Sequence, residues 1–118
     1  MTKVLVVEDN PLNMELVIEI LMARGFTVNE AINGEEALRK AENEDFDLVL
    51  MDIELPGMDG VEVTRILKNR NQNIPVVALT SYAMKGDRER FISAGFNEYL
   101  SKPLDISDFL NRLEKYKK

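Results

Sequence analysis

The stretch FDLVLMDIELPGMDG, residues 46–60, decides the fold that this sequence predicts. It opens with an unbroken apolar run at residues 48–51, meets a single carboxylate at Asp52, and then passes into a turn that contains Pro and Gly. An apolar run without alternation is typical of a strand that is buried on both faces of a parallel sheet. Asp52 has two interpretations at this point. It is either an ordinary residue that ends the strand or a functional carboxylate that the strand positions.

Four further apolar runs accompany this one, and amphipathic stretches separate them. The five predicted strands lie at residues 4–7, 26–28, 48–51, 76–79 and 99–100. A strand followed by a helix, repeated five times, predicts an α/β fold: a doubly wound parallel sheet with helices on both faces and right-handed crossovers. The length of 118 residues is close to the usual size of one domain. We therefore expect a single domain over residues 1–118.

Capping residues mark the ends of the predicted helices. The expected N-caps are Asn10, which precedes Pro11 in the first turn, and then Asn33, Asp59 and Asp105. Gly25 and Gly95 suit the ends of the first and fourth helices, and the fourth helix is expected over residues 83–94.

The spacing of apolar residues predicts which face of the outer helices is buried. In the first helix, Leu12, Leu16 and Ile20 recur at every fourth position and are expected to face the core. In the fifth helix the expected apolar stripe consists of Ile106, Phe109, Leu110 and Leu113.

The composition excludes several classes of chemistry. The sequence contains no Cys and no His, which removes disulfides, thiol nucleophiles, imidazole catalysis and the usual zinc sites. A net charge of −6 argues against nucleic acid as the main partner. No segment approaches the roughly 18 apolar residues that span a bilayer, and the first residues do not form a secretory signal. We therefore expect no membrane insertion and a cytoplasmic location.

Polar residues follow four of the five predicted strands. Glu8 and Asp9 come after the first strand, Asp52 after the third, Thr80 after the fourth and Lys102 after the fifth. Each of these residues alone is more typical of a turn, a cap or a solvated surface. Ligands of open parallel sheets bind beyond the carboxyl ends of the strands, where the strand order switches. If the first and third strands are neighbours, these side chains converge on one crevice, and a shared function becomes the better interpretation.

The chemistry of such a crevice is narrow. Two carboxylates about 4 Å apart repel each other by roughly 4 kcal/mol at an effective dielectric constant near 20. Because His and Cys are absent, Mg²⁺ is the cation best suited to neutralise them. A metal beside an aspartate favours phosphoryl chemistry, in which Asp52 is the nucleophile and forms an aspartyl phosphate. A hydroxyl such as that of Thr80 could bond the phosphoryl oxygens, and the Lys102 ammonium could neutralise their charge.

Four stretches of sequence surround the ends of the predicted strands: VLVVEDN at 4–10, LMDIELPGMDG at 50–60, VALTS at 77–81 and YLSKP at 99–103. Together they resemble the receiver domains of two-component response regulators. The resemblance implies a (βα)5 fold of the flavodoxin-like receiver type with strand order 2-1-3-4-5. The segment at residues 81–90 is further similar to the fourth-helix region of DivK-type cell-cycle receivers and of receivers in hybrid sensor kinases, which act in phosphorelays.

The resemblance also implies a role for each site residue. Asp52 would be the phosphoacceptor, and Glu8 and Asp9 would hold Mg²⁺ together with Asp52 and the backbone carbonyl of Glu54. Many relatives carry Asp where this chain has Glu8, whose longer side chain is expected to reach a metal through water. Lys102 would contact the phosphoryl group.

Three residues are implied as parts of a conformational switch. Thr80 would be the switch hydroxyl and Tyr99 the switch aromatic, while Pro103 would follow Lys102 through a cis peptide bond. Glu54 and Tyr82 occupy positions that tune phosphate lifetime in the family.

The function implied is a phosphorylation-activated signalling switch. A histidine kinase or histidine phosphotransferase would supply the phosphoryl group, since the chain has no His of its own. The face formed by the fourth helix, fifth strand and fifth helix would then change its affinity for a downstream protein target. The chain would be no enzyme beyond its own phosphorylation and dephosphorylation.

Three alternatives remain open. The chain is either a stand-alone receiver, which Met1-Thr2-Lys3 before the first strand favours, or a receiver cut from a larger hybrid kinase or regulator. The rival from another class is a Mg²⁺-dependent phosphohydrolase with an Asp nucleophile and Glu54 as its second carboxylate, although no capping insertion exists. A flavin-binding module is disfavoured because Glu8 and Asp9 would repel its phosphate.

Overall fold

Strands and helices alternate along residues 2–71, 73–81 and 87–117, which are the residues that the computed structural model describes. The strands are β1 (Lys3–Val7), β2 (Thr27–Ala31), β3 (Leu48–Asp52), β4 (Val76–Thr80) and β5 (Glu98–Ser101). The helices are α1 (Pro11–Ala23), α2 (Gly34–Asn43), α3 (Gly60–Arg70), α4 (Asp87–Ala94) and α5 (Ile106–Leu113), and a short 3₁₀ turn follows at Glu114–Tyr116.

The five strands form one parallel sheet in the order β2-β1-β3-β4-β5. This arrangement confirms the predicted doubly wound α/β fold. The sheet reverses its direction of growth between β1 and β3, which lie side by side with Val7 opposite Met51. The carboxyl ends of β1 and β3 therefore meet at one edge of the sheet, where an open α/β fold binds its ligands.

The sheet is buried on both faces, as its uninterrupted apolar runs predict. Every residue of β3 and β4 is buried. One core, which includes Met51 and Phe91, packs against α2, α3 and α4, and the other, which includes Leu50 and Phe109, packs against α1 and α5. Because successive strand residues point to opposite faces, Leu50 and Met51 belong to different cores. This burial confines polar side chains to the strand ends.

The edge strand β2 is displaced from its predicted position. The apolar run predicted a strand at residues 26–28, whereas β2 spans Thr27–Ala31. Phe26 is buried just before the strand, but only Ala31 is fully buried within it. An edge strand is covered less completely than a central one, so its apolar pattern carries less information about where the strand begins and ends.

The prediction for the buried face of α1 was wrong for Leu12 and Leu16, whereas Ile20 packs partly against the core. Leu12 and Leu16 are 76% and 45% exposed, and the buried residues are instead Met14, Val17 and Leu21. The helix is apolar on several sides, so a fourfold spacing fits more than one face. In α5 the predicted stripe holds for Phe109 and Leu113, which are buried, while Leu110 packs partly against the core and Ile106 is 48% exposed.

The predicted helix caps are present. Asn10, Asn33, Asp59 and Asp105 each accept a backbone N–H of the first turn of the helix that follows. Beyond α1 and α4, Gly25 and Gly95 adopt φ angles of 87° and 108°, which favour glycine. Residues 83–86 of the predicted fourth helix lie outside the described residues, while its predicted end at residue 94 agrees with α4.

Candidate functional site

Asp52 is the last residue of β3 and is 1% exposed. Its two carboxylate oxygens have different partners. Oδ1 accepts the backbone N–H of Glu54 at 2.9 Å, and Oδ2 accepts the ammonium of Lys102 at 3.0 Å. Since β3 lies in the middle of the sheet between β1 and β4, the carboxylate has a fixed position at the carboxyl edge.

Lys102 follows β5 and bridges two buried acids. Its Nζ lies 3.1 Å from Oε2 of Glu8 and 3.0 Å from Oδ2 of Asp52, and its own N–H donates to the carbonyl of Thr80 at 2.8 Å. Burial alone would lower the pKa of Lys102, but the hydrogen bonds to Asp52 and Glu8 and the negative charges of these two acids together outweigh burial and raise that pKa above its ordinary value. Lys102 is therefore a fixed positive charge in the crevice.

Burial raises the pKa of Asp52 to about 7 because it removes the carboxylate from water and so disfavours the charged form. The hydrogen bond and the charge of Lys102 act in the opposite direction, while the neighbouring carboxylate of Glu8 raises the pKa of Asp52 further. One ammonium is thus too little positive charge for the two buried acids, and a second cation would favour the ionised form of Asp52.

Three carboxylates crowd this end of the sheet. One ligand oxygen from each of Glu8, Asp9 and Asp52 lies within 4.8 Å of the others. Glu8 and Asp52 are buried, whereas Asp9 is exposed, so the cluster is open to solvent on the side of Asp9. Carboxylate oxygens that leave room for water are the ligands that Mg²⁺ prefers. The donor set therefore fits Mg²⁺.

Thr80 lies at the same edge of the sheet as these acids. It is the buried last residue of β4, and the preceding residue, Leu79, is in register with Asp52. On its other side Thr80 is in register with Ser101 of β5. Thr80 thus lies one residue farther along the edge than Asp52.

Tyr99 and Pro103, the other two residues implied in the switch, lie in β5 and just after it. Tyr99 is half-buried in β5, and its ring centroid is 5.7 Å from that of Phe91 in α4. Within the described ranges, no hydrogen bond or ion pair joins Tyr99 to Asp52. The Lys102–Pro103 peptide bond is cis, as predicted.

Two features of the site were missed in the sequence, and the first is the direction of the Glu54 side chain. Its Oε1 accepts the backbone N–H of Ser81 at 2.8 Å, so the residue joins the loop after β3 to the end of β4. No spacing in the sequence indicates this contact. Tyr82, the other residue expected to tune phosphate lifetime, lies outside the described residues.

The second missed feature is the close approach of Gly60, the first residue of α3, to β3. A Cβ atom at this position would lie 2.3 Å from the backbone oxygen of Asp52, so only glycine allows the helix to start so close to β3. The signal that could have found it is the glycine directly after the N-cap Asp59, where a helix does not otherwise require one.

A groove of about 660 Å³ runs along β5 between α4 and α5. Its lining includes Ile92 of α4, Phe109 of α5 and Glu98 of β5. The carboxylate of Glu98 accepts the hydroxyl of Tyr116 at 2.6 Å and pairs with Lys115 at 2.8 Å, which fastens the final 3₁₀ turn to the sheet. The groove lies on the face that the sequence predicts for partner binding.

No helix in the described part of the chain has the length and apolar character needed to cross a membrane.

The sequence is similar to known signalling proteins. The family model "Response regulator receiver domain" matches residues 4–114. The polar-differentiation response regulator DivK of Brucella anthropi is 44% identical over 115 residues, which cover 96% of this chain and 94% of that protein. The alignment thus spans nearly the whole of both proteins.

Two solved structures connect the fold with magnesium. The receiver domain of a Pseudomonas aeruginosa sensor histidine kinase, with a magnesium ion coordinated in its active site cleft, is 36% identical with a TM-score of 0.88 and covers 98% of this chain and 96% of its own. The response regulator TrrA of Thermotoga maritima, in complex with Mg²⁺ and BeF, is 33% identical with a TM-score of 0.90 and covers 99% and 100%. This chain therefore belongs to the response regulator receiver domain family of two-component signalling.

Proposed function

We propose that this chain is a phosphorylation-activated switch in which Asp52 accepts a phosphoryl group from the phosphohistidine of a kinase or phosphotransferase. The observation that carries the proposal is the buried carboxylate of Asp52, held between the N–H of Glu54 and the ammonium of Lys102. The donor must provide the histidine, since the chain has none.

The transfer forms a bond between a carboxylate oxygen of Asp52 and phosphorus while the P–N bond of the donor breaks. The donor imidazole keeps the electron pair of that bond. Lys102 balances the charge on the transferring group, for which its contact with Asp52 already positions it. Mg²⁺ held by Glu8, Asp9, Asp52 and the backbone carbonyl of Glu54 would supply further neutralisation. Water later attacks the phosphorus, which releases phosphate and restores the carboxylate.

The switch follows from the phosphoryl group, whose charge of about −1.5 to −2 replaces the single negative charge of the Asp52 carboxylate. Thr80 at the end of β4 moves toward the phosphoryl group and Tyr99 turns inward. β4 and β5 are paired strands, in which Val77 is in register with Glu98 and Thr80 with Ser101. A shift of Thr80 is therefore transmitted directly to β5. The groove between α4 and α5 then changes its affinity for a downstream protein. In this proposal residues 1–118 act as one receiver domain.

The test is phosphorylation by a small acyl phosphate. The protein is incubated with acetyl phosphate and Mg²⁺, and intact mass spectrometry is expected to show one added phosphoryl group. Asp52→Asn should gain none, because its side chain is not a nucleophile. The matched control is Asp45→Asn, an exposed aspartate in the loop before β3, which should gain as much as the wild type. Equal modification of Asp52→Asn and wild type would contradict the proposal.

The same samples separate the switch from a phosphohydrolase. In the structure the Glu54 carboxylate accepts a hydrogen bond from the Ser81 amide. The carboxylate that a hydrolase would use as its acid or base is therefore already engaged. We expect one modification per molecule and no sustained release of phosphate from a phosphate monoester. Many turnovers of such an ester would favour the hydrolase.

A further inference from the structure

Glu54 is bound to two segments that meet at the site. Its backbone N–H donates to Oδ1 of Asp52 at 2.9 Å, and its side-chain Oε1 accepts the N–H of Ser81 at 2.8 Å. Ser81 directly follows Thr80, the buried end of β4. One residue therefore connects the proposed phosphoacceptor to the segment that carries the proposed switch hydroxyl.

In this arrangement one of the two Glu54 carboxylate oxygens lacks a hydrogen bond from the described residues. That oxygen, Oε2, is buried. The ammonium of Lys102 is bonded to Glu8 and Asp52 instead. A buried carboxylate oxygen without a partner is unfavourable, so the hydrogen bond from Ser81 is what holds the side chain in this position.

A phosphoryl group on Asp52 acts against this contact. It adds negative charge to a carboxylate that already touches the backbone of Glu54. The phosphoryl group and the Glu54 carboxylate are both negatively charged and belong to residues two positions apart, so they repel each other. The Glu54 side chain relieves this repulsion by leaving the Ser81 amide and turning away from Asp52. Release of that amide removes a restraint from the end of β4, which is the segment that has to move.

We propose that the Glu54 carboxylate is a latch, which holds the Ser81 amide in the unphosphorylated protein and must release it before Thr80 can move. Glu54 is in this proposal a positioning residue that acts through Ser81. The inference rests on the proposed function, because it describes how that switch is restrained.

The bond itself is tested without phosphorylation. Amide hydrogen exchange at Ser81 is followed by ¹⁵N NMR in the wild type, Glu54→Ala and Glu54→Gln. The Ala variant lacks an acceptor and should exchange about tenfold faster, whereas the Gln variant keeps an amide oxygen as acceptor and should stay within about threefold of wild type. Exchange in Glu54→Ala equal to that of the wild type would overturn the latch.

The restraint is tested by the rate of phosphorylation with acetyl phosphate and Mg²⁺. A latch predicts that Glu54→Ala reacts fastest, Glu54→Gln more slowly, and the wild type slowest, with about threefold between Ala and Gln. The control Glu62→Gln removes the same charge from an exposed position in α3 and should match the wild type. Equal rates for Ala and Gln would mean that charge alone slows the reaction, which overturns the latch.

The experiments distinguish failure of the proposed phosphorylation switch from failure of the latch. If none of the proteins takes up a phosphoryl group, the proposed function is wrong and the latch has no switch to restrain, although the difference in Ser81 exchange would remain. If the wild type is phosphorylated but Ser81 exchange does not respond to Glu54→Ala, only the latch is wrong.

Discussion

At the scale of single residues, the site is governed by the cost of burying Asp52. Two carboxylates, Glu8 and Asp52, share one ammonium, and the pKa of Asp52 rises to about 7 because burial disfavours its charge. The same residue that the proposed reaction needs is thus unfavourable for stability when no metal is bound. Such a conflict between stability and function is common at functional sites.

This conflict predicts a pH-dependent effect of Asp52→Asn. In the folded state the pKa of Asp52 is about 7, above its ordinary value of 3.8 in the unfolded chain. The folded protein therefore binds the proton more tightly, and its stability falls as pH rises between these two values. Asp52→Asn has no carboxyl group at this position, so its stability does not fall with pH for this reason. In the presence of a chelator, we expect its Tm to exceed that of the wild type by about 5 °C or more at pH 7.5.

The measurement is a thermal denaturation series at pH 4, 5.5 and 7.5. The difference in Tm between Asp52→Asn and wild type should shrink toward pH 4, because this pH is close to the unfolded-state pKa of 3.8 and little of the stability loss has accumulated there. A difference that stays constant across the series would show that burial of the Asp52 charge is not its cause. Asp45→Asn serves as the control, because Asp45 is exposed.

At the scale of elements, the strands were easier to predict than the faces of the helices. β1, β3 and β4 are buried on both sides, so every residue contributes to the apolar signal. In α1 the apolar residues surround most of the helix, and only the tertiary packing selects Met14, Val17 and Leu21 for burial. The spacing of apolar residues along a helix does not depend on where the neighbouring sheet lies. The spacing alone therefore predicted burial of Leu12 and Leu16.

The corrected face of α1 gives a matched pair of substitutions. Leu21→Ala removes a fully buried side chain and should lower the free energy of unfolding by about 2–5 kcal/mol. Leu12→Ala makes the same chemical change at a position that is 76% exposed and should change that free energy by no more than about 0.5 kcal/mol. Urea denaturation measures both. Similar losses from the two variants would contradict the buried face.

At the scale of the whole molecule, the parallel α/β architecture and the acidic site were predictable together, while the strand order came from the resemblance to receiver domains. Strand ends carry Glu8, Asp9, Asp52 and Lys102, and a parallel sheet with β1 beside β3 brings them to one edge. What the sequence could not supply is side-chain direction within the loops. The contact of Glu54 with Ser81 depends on how two connections approach each other, and no local pattern encodes that approach.

Global stability should respond to magnesium. A ligand that binds only the folded state stabilises it by about 2.7 kcal/mol at a hundred times its Kd, so Mg²⁺ is expected to raise the Tm by several degrees. Asp9→Asn removes one carboxylate from the cluster and should reduce this gain. Glu19→Gln, an exposed change on α1, should leave the gain unchanged. An equal gain in Asp9→Asn and wild type would exclude Asp9 as a ligand.

The contact between Tyr116 and Glu98 has a practical consequence for spectroscopy. The chain contains no Trp and three Tyr, so its intrinsic fluorescence arises from tyrosine alone. Tyr99 belongs to the core on the α4 side, whereas Tyr116 packs on the α5 side and donates its hydroxyl to Glu98 of the same strand. Emission from Tyr99 and Tyr116 therefore reports on both sides of β5, and the movement of this strand that the proposed switch requires should change it without a label.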